Sequence, residues 1–271
     1  MIENYRFAAN AEPCIDVCDL TVNFDQEKVL KNIKLSLPKN KFTVIIGPNG
    51  CGKSTMLRSL NRLIKPTSGE VLLDGKQLHS LSTKQIAQRL GLLPQSPLVP
   101  EGLTVYELVS RGRFPHQNFL QPWSLQDQNA VEAAIKATHL EELADRVVDQ
   151  LSGGQRQRVW VATILAQDTP YILLDEPTTY LDIAHQIDLL DLFRKLNLEQ
   201  GKTLVAVLHD LNHACRYADH LVVMAGGKII DQGVPAKVVT SQLVEQVFGL
   251  QCHIIADPVT DTPLIIPRPP A

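Results

Sequence analysis

A glycine-rich segment directly after a short apolar run is the feature that most constrains this chain. Residues 47–54 read GPNGCGKS and follow the run FTVII at 42–46, while the residues after them, STMLRSLNRLI, have helical spacing. This is the strand, GxxxxGK plus Ser or Thr, helix pattern, in which glycines let backbone N–H groups and a helix start approach a polyanion. The segment therefore predicts a phosphate-binding loop.

The residue types in this loop have separate chemical roles. Lys53 would place a cation at the β- and γ-phosphates, and the Ser54 hydroxyl would be positioned to bind Mg²⁺. The predicted phosphate cradle comprises Gly47, Pro48, Asn49, Gly50, Cys51, Gly52, Lys53, Ser54 and Thr55. The alternative is a glycine-rich turn without a ligand, which the flanking strand and helix disfavour.

Cys51 has an unusual place inside the loop, next to Gly52 and Lys53. A helix N-terminus and a nearby cation lower the pKa of a thiol, so we expect thiolate character here. The hypothesis is that alkylation of Cys51 blocks nucleotide binding. The alternative is a small residue without special reactivity.

Composition limits the class of protein. A chain of 271 residues that is 44% hydrophobic can form one large domain, or one domain with an insertion. The formal net charge of −3 gives no global basic field, so nucleic acid is not an expected partner. The apolar runs are shorter than the roughly 20 residues that cross a bilayer, and the first residues lack the apolar core of a secretory signal. Five cysteines without CxxC spacing predict reduced thiols.

Four apolar runs alternate with helical patterns along the chain: FTVII (42–46), YILLD (171–175), TLVAVLH (203–209) and LVVMA (221–225). This alternation predicts a parallel α/β sheet. Shorter alternating runs before residue 42 predict an antiparallel flank. Helical spacing without strand runs around 96–150 predicts a helical insertion, and the proline-rich end predicts an extended tail.

Two adjacent carboxylates end the run YILLDEP. Carboxyl ends of strands are where α/β folds place their chemistry. Asp175 could hold Mg²⁺ through a water molecule, and Glu176 could act as general base on an attacking water. The alternative, a helix-capping or solvated pair, is the commoner use of such residues, but the upstream loop favours the catalytic interpretation.

A second anion site is predicted at LSGGQRQR, residues 151–158, which precedes the helical run VWVATILAQ. With this third motif the chain resembles the ATP-binding cassette family, in which LSGGQ is the signature. The resemblance implies that two head-to-tail copies enclose two ATP molecules with Mg²⁺. The signature of one copy then closes over the γ-phosphate bound by the other, through Ser152, Gly153, Gly154 and Gln155.

The resemblance also implies a fold and its boundaries. The fold is α/β, with a P-loop NTPase (RecA-like) core, a parallel sheet, an antiparallel β flank and an inserted α-helical subdomain. The whole chain, 1–271, would form one ATPase domain. Its parts would be a core over 12–95 and 156–250, a helical subdomain over 96–155 and an extended tail over 251–271.

Further positions match the family one by one. Gln95, in LLPQSP, resembles the glutamine that contacts Mg²⁺ and the lytic water. His209 resembles the switch histidine at the γ-phosphate, although its spacing to His213 would also suit a metal site. Asp182, in TYLDIA, resembles the acid that crosses the dimer interface, although it would serve equally as a helix cap. Phe24 lies where the family usually has a tyrosine that stacks on adenine; the phenyl ring keeps the π face without the hydroxyl, and the alternative is a half-buried strand aromatic.

Partners follow from the same resemblance. The stretches RGRFPHQ (111–117), DEPTTYLDIAHQIDLL (175–190), LHDLNHACRYADHL (208–221) and DPVTDTPLIIP (257–267) resemble ATPases of ferric-siderophore importers, especially the enterobactin type. That class, which also includes haem and vitamin B12 systems, implies a homodimer on the cytoplasmic face of the cell membrane. Its partners would be two integral-membrane permeases and, indirectly, an extracytoplasmic siderophore-binding protein.

Some alternatives stay open at this point. RGRFPHQ is expected at or near the permease contact, unless it is a solvent-exposed basic turn. The cargo could be haem or vitamin B12 instead of a siderophore. The chain could also be a soluble regulatory or repair ATPase, or a module that senses ATP without hydrolysing it, although Glu176 and His209 disfavour the last.

Overall fold

The run FTVII forms an inner strand of a six-stranded sheet in a computed structural model, which describes residues 13–25, 27–95, 101–117, 123–179 and 181–269. The strands are β1 (Pro13–Phe24), β2 (Glu27–Pro38), β3 (Phe42–Ile46), β4 (Ser68–Leu73), β5 (Lys76–Gln77), β6 (Leu90–Leu93), β7 (Tyr171–Asp175), β8 (Thr203–Val207), β9 (His220–Ala225), β10 (Lys228–Gly233), β11 (Cys252–Ala256) and β12 (Pro263–Pro267). The α-helices are α1 (Lys53–Leu60), α2 (Thr83–Ala87), α3 (Val105–Ser110), α4 (Leu125–Ala137), α5 (Gly153–Gln167), α6 (Ile183–Gln200), α7 (Leu211–Tyr217), α8 (Pro235–Val238) and α9 (Ser241–Phe248).

The six strands follow the order β10-β9-β3-β8-β7-β6, and all neighbours except β10 and β9 run parallel. Every residue of β3, β7 and β8 is buried, as expected for a parallel sheet with both faces covered. The pairing places the carboxyl ends of these strands at one edge, with Asp175 opposite Val207 and Val207 opposite Ile45. This confirms the predicted parallel sheet.

The predicted antiparallel flank is a second sheet, with the strand order β2-β1-β4-β5. Its long strands β1 and β2 pair antiparallel from Pro13 with Pro38 to Phe24 with Glu27, with several register shifts between these ends. Apolar residues from its inner face pack with α1 and one face of the main sheet in a common core. Burying this shared apolar surface holds the flank against the phosphate-binding loop.

The predicted helical insertion is formed by α3, α4 and one face of α5 around their own apolar cluster. The helix α5 belongs to two cores, because Val159 and Ala162 pack in the helical cluster while Val161 and Ile164 pack beside the main sheet. The boundary expected between residues 155 and 156 falls inside this helix. The exact division of the chain stays a prediction, and its expected limits at 12 and 96 lie outside the described residues.

Beyond α9 the described chain forms the antiparallel hairpin β11–β12, in the segment expected to be an extended tail. The hairpin is fixed to α7 by Asn212, whose Oδ1 accepts from the Ile265 N–H at 2.7 Å and whose Nδ2 donates to the Ile265 carbonyl at 3.3 Å. Within the described part of the chain, every helix is too short or too polar to span a bilayer.

Candidate active site

The loop between β3 and α1 has the features of an anion cradle. Gly50 and Gly52 have φ angles of 75° and 103°, which favour glycine. A Cβ on Gly47 would lie 2.1 Å from the Met224 carbonyl oxygen, so only glycine fits there. The N-cap of α1 carries no side-chain hydrogen bond and its first turn holds no acidic residue. The amide groups of that turn are therefore available to a bound phosphate.

Lys53 is buried at the start of α1. Its Nζ atom donates to the carbonyl oxygens of Gly47 at 2.8 Å and Pro48 at 3.0 Å. The loop thus holds its own cation at its centre through neutral acceptors. An anion in the cradle would offer a stronger, charge-assisted partner to the same ammonium group.

A cleft of about 560 Å³ opens in front of this loop. It is lined by Phe24, Val29, Asn49, Gly50, Gly52, Lys53, Ser54, Thr55, Gln95, Glu176 and His209. The antiparallel flank therefore supplies an aromatic ring to one wall, and the edge of the main sheet supplies polar groups to the other. Phe24 is 48% exposed, so its ring is available to a ligand in the cleft.

Asp175 lies beside the loop because β7 ends at this residue. The Ser54 hydroxyl donates to Asp175 Oδ1 at 2.8 Å. Burial raises the pKa of Asp175, and hydrogen bonding from Ser54 opposes part of that shift. Among the described residues, Asp175 Oδ2 is buried without a hydrogen-bond partner. A hydroxyl next to an open, buried carboxylate oxygen is a donor set that suits a hard divalent cation such as Mg²⁺.

Glu176 is held from both sides. Its Oε2 accepts from Gln95 Nε2 at 2.5 Å, and its Oε1 lies 2.6 Å from His209 Nε2. The residue has a φ of 53°, unusual for a non-glycine residue, and it is 9% exposed. The structure therefore brings together the three residues that the sequence predicts as catalytic.

The strand predicted over 203–209 is shorter than expected. It ends at Val207, and His209 lies in the connection to α7. This connection carries the imidazole away from the sheet edge and toward Glu176. The His213 ring contacts Tyr217 edge-on, with ring centroids 6.5 Å apart, and its backbone N–H donates to Asp210 Oδ1 at 2.7 Å in the cap of α7. Across the described residues no cluster of three potential metal ligands occurs, so the structure lends no support to a metal site at His209 and His213.

The signature residues lie apart from the cleft. Ser152 is the N-cap of α5, with its Oγ accepting from the Gln155 N–H and its own N–H donating to Gln155 Oε1. Gly153 and Gly154 are helical and form the first turn, whereas the sequence predicted that they precede the helix. None of these residues is in the lining of the described cleft. Gly153 has open space around its Cα.

Asp182 is the N-cap of α6, the structural alternative considered for it. It accepts from the His185 N–H at 2.9 Å and contacts His185 Nδ1 at 2.7 Å. The backbone hydrogen bond and then the side-chain one lower the pKa of Asp182. Its expected role at a dimer interface stays a prediction.

The structure does not support the thiolate character expected for Cys51. The thiol is 5% exposed and packs in the core with Met56 and Met224. Burial raises the pKa of Cys51, and the opposing effects of the Lys53 charge and nearby backbone N–H groups do not reverse this shift. The residue is a buried thiol behind the phosphate cradle.

The segment RGRFPHQ is more than an exposed basic turn. Arg113 is 3% exposed, its Nε donating to Asp127 Oδ1 at 2.8 Å and its Nη1 to the Ala166 carbonyl at 2.8 Å. This ion pair ties the segment to α4 and α5. Phe114, by contrast, is 60% exposed and borders a groove of about 320 Å³ with Leu108 and Trp160.

Val29 is a cleft residue that the sequence did not single out. It lies on β2, and the alternation of apolar residues along that strand is its one signal. Only the pairing of β2 with β1 places it beside Phe24, so no local motif could have identified it.

Comparisons with known proteins identify the family of this chain. Residues 30–179 match the family model described as ABC transporter. The ferric enterobactin transport ATP-binding protein FepC of Escherichia coli K12 is 54% identical over 248 residues, covering 92% of both chains. The achromobactin transport ATP-binding protein CbrD of Dickeya dadantii strain 3937 is 53% identical over 249 residues, covering 92% of this chain and 93% of the relative.

Solved structures show the same likeness. A metal-chelate type ABC transporter in an inward-facing conformation has a TM-score of 0.81 at 26% identity, covering 94% of this chain and 97% of its own. A dimeric ATP-binding cassette with bound ADP and Pi has a TM-score of 0.73 at 32% identity, covering 81% and 98%. The chain belongs to the ABC transporter family.

Proposed function

We propose that this protein is the ATP-hydrolysing subunit of a membrane importer for iron–siderophore complexes. The observation that carries the hydrolytic part is the placement of Glu176 between Gln95 and His209, at the mouth of a phosphate cradle. The cargo rests on relatives: proteins named for transport of ferric enterobactin and achromobactin share more than half of their aligned residues with this chain.

ATP would lie along the cleft, with its phosphates at one end and its adenine at the other. The amide groups at the start of α1 and the Lys53 ammonium would receive the β- and γ-phosphates, once Lys53 leaves the Gly47 and Pro48 carbonyls. The exposed ring of Phe24 would stack on adenine. Ser54, Gln95 and Asp175 would hold Mg²⁺, Asp175 through water. The cation supplies charge neutralisation at the phosphates when bound.

Glu176 would act as the general base. Each carboxylate oxygen has two acceptor positions, so the contacts with Gln95 and His209 leave positions free for a water molecule. His209 and Gln95 fix the direction of the carboxylate, and a base fixed within hydrogen-bond reach of the attacking water can take its proton. His209 would also donate to the γ-phosphate from the same side.

Two copies would complete each site. The first turn of α5 lies outside its own cleft, and a Cβ on Gly153 would meet no atom within 4 Å, so a second copy could approach this turn and place its phosphate against the Gly153 and Gly154 N–H groups. In a head-to-tail homodimer, each cleft would receive the first turn of α5 from the other copy. The dimeric cassette with ADP and Pi gives a structural precedent for a dimer of such chains.

Two integral-membrane permease subunits would be the mechanical partners, with an extracytoplasmic siderophore-binding protein delivering cargo to them. The groove beside Phe114, Leu108 and Trp160 supports a contact at or near RGRFPHQ, because the exposed Phe114 ring next to the partly buried Trp160 offers apolar surface to a partner. Such a subunit would lie on the cytoplasmic face of the cell membrane as a peripheral protein.

Uptake of labelled cargo tests this function. Cells that carry either the wild-type chain or only Glu176→Gln would be given iron as catecholate, hydroxamate or haem complexes, and labelled vitamin B12 in parallel. Loss of uptake confined to iron–siderophore complexes is the expected result. Loss confined to haem or vitamin B12 would reassign the cargo, and unchanged uptake of all four would contradict an importer subunit.

A further inference from the structure

Gln157 makes a buried contact that the proposed mechanism does not use. It lies on α5 just beyond the signature residues and is 8% exposed. Its Nε2 atom donates to the carbonyl oxygen of Pro177 at 3.0 Å, and Pro177 directly follows Glu176. A buried amide that loses its acceptor is costly, so this contact fixes the separation between the helix and the backbone after Glu176.

The backbone at Glu176 needs such a restraint. Its φ of 53° lies in the left-handed region, and a residue before proline ordinarily takes an extended conformation. A strained residue of this kind persists only where neighbouring contacts hold it. Pro177 has no N–H. Beyond the Glu176–Pro177 peptide bond, the first backbone group that can form a hydrogen bond is therefore the Pro177 carbonyl.

The same helix also touches the chain farther on. A Cβ on Gly154 would lie 3.3 Å from the Leu181 Cδ2 atom, so the first turn of α5 packs closely against the segment that follows Glu176. Within that segment the Thr179 N–H donates to the Glu176 carbonyl at 3.2 Å. The signature helix and the loop of the general base therefore form one packed unit inside a single chain.

We propose that Gln157 is a positioning residue that holds Glu176 in its catalytic orientation and joins it to the signature helix. The inference rests on the proposed function. In the head-to-tail dimer, the signature of a chain contacts the ATP bound by the second copy, while Glu176 of that chain acts on its own ATP. Gln157 is then the link through which engagement of one site aligns the base of the other.

Steady-state hydrolysis by the full-length chain tests the link, with Gln157→Met as the variant that keeps length and removes the donor. We expect kcat to fall about tenfold while the KM for ATP changes less than about twofold, because a misplaced catalytic group affects the chemical step. The matched control is Asn197→Leu. Asn197 is also buried, and its Nδ2 donates to the Lys202 carbonyl at 2.8 Å, far from the cleft. The Asn197→Leu variant should be less stable than wild type and should have an unchanged kcat.

A double variant separates positioning from general stability. If Gln157 acts through Glu176, then Gln157→Met should change the residual turnover of Glu176→Gln by less than about twofold. A full tenfold loss in that background would contradict the proposal. So would an unchanged kcat in the single variant while wild-type hydrolysis is intact. If Gln157→Met does not fold, Gln157→Leu also removes the donor with an apolar side chain and carries the same expectation.

The proposed function fails in a different way. A wild-type chain that binds ATP and does not hydrolyse it would overturn the proposed function, and this inference with it. An active wild type with an equally active Gln157→Met would overturn the inference alone.

Discussion

His209 Nε2 lies 2.6 Å from Glu176 Oε1, although Glu176 follows strand β7 and His209 follows strand β8. Gln95 holds the second carboxylate oxygen. A carboxylate fixed on both sides next to a phosphate cradle presents one orientation to a reacting water. The proposed hydrolysis depends on this orientation.

His209→Ala should remove one of the two restraints on Glu176 and the expected donor to the γ-phosphate. We expect kcat to fall about a hundredfold, with a much smaller change in KM, because general-base geometry governs the chemical step. Phosphate release from ATP under steady-state conditions measures this. His253→Ala is the matched control, since that histidine is exposed on β11. Equal turnover of His209→Ala and wild type would refute the role.

Lys53→Ala should weaken nucleotide binding itself. The ammonium group already sits at the centre of the loop, and a hydrogen bond to a charged group contributes roughly 2 kcal/mol, so affinity for ATP should drop by more than about tenfold. Titration calorimetry with ATP gives the value. Lys65→Ala, an exposed lysine after α1, should bind as wild type does. Unchanged affinity in Lys53→Ala would contradict the phosphate cradle.

Cys51 should react slowly with alkylating agents. Burial raises its pKa and shields the sulfur, so labelling near neutral pH should be at least about tenfold slower than that of free cysteine. Mass spectrometry of the folded protein, treated for increasing times, follows the reaction at this residue. Labelling as fast as that of free cysteine would show that a thiolate forms after all.

His220 predicts a loss of stability in mild acid. Burial lowers its pKa from 6.5 to about 4, so the folded state stays neutral where the unfolded state binds a proton. The free energy of unfolding should therefore fall as pH drops from about 6.5 to about 4, by about 3 kcal/mol at the lower end. Urea unfolding across this range measures it. In His220→Gln the dependence should be much shallower, and an equally steep dependence in this variant would assign the effect elsewhere.

Much of the fold follows from short sequence patterns. Fully apolar runs predict β3, β7 and β8, and parallel strands bring their carboxyl ends to one edge. Ser54, Asp175 and Glu176 therefore meet for a reason that the sequence already contains. The position of His209 depends on the end of β8 at Val207, two residues before the predicted end. The apolar pattern of the sequence does not define where the strand ends.

Other features depend on contacts between distant elements. Cys51 lies behind a loop that approaches the Met224 carbonyl closely, so its burial follows from the pairing of β3 with β9. From the sequence, Arg113 would be expected to be an exposed charge, but in the structure it is buried in an ion pair with Asp127 of α4. The contact between Gln157 and Pro177 likewise joins a helix to a strand end. Local propensity gives no sign of these partners.

The most direct test of the central claim is turnover and assembly of Glu176→Gln in the presence of ATP and Mg²⁺. The substitution keeps the shape of the side chain and removes the base, so we expect ATP to bind, hydrolysis to fall by at least about a hundredfold, and a stable ATP-bound dimer to accumulate. Light scattering during size-exclusion chromatography would detect the dimer, and phosphate release would report turnover. Near-normal hydrolysis by this variant would contradict the assignment of Glu176 as the general base.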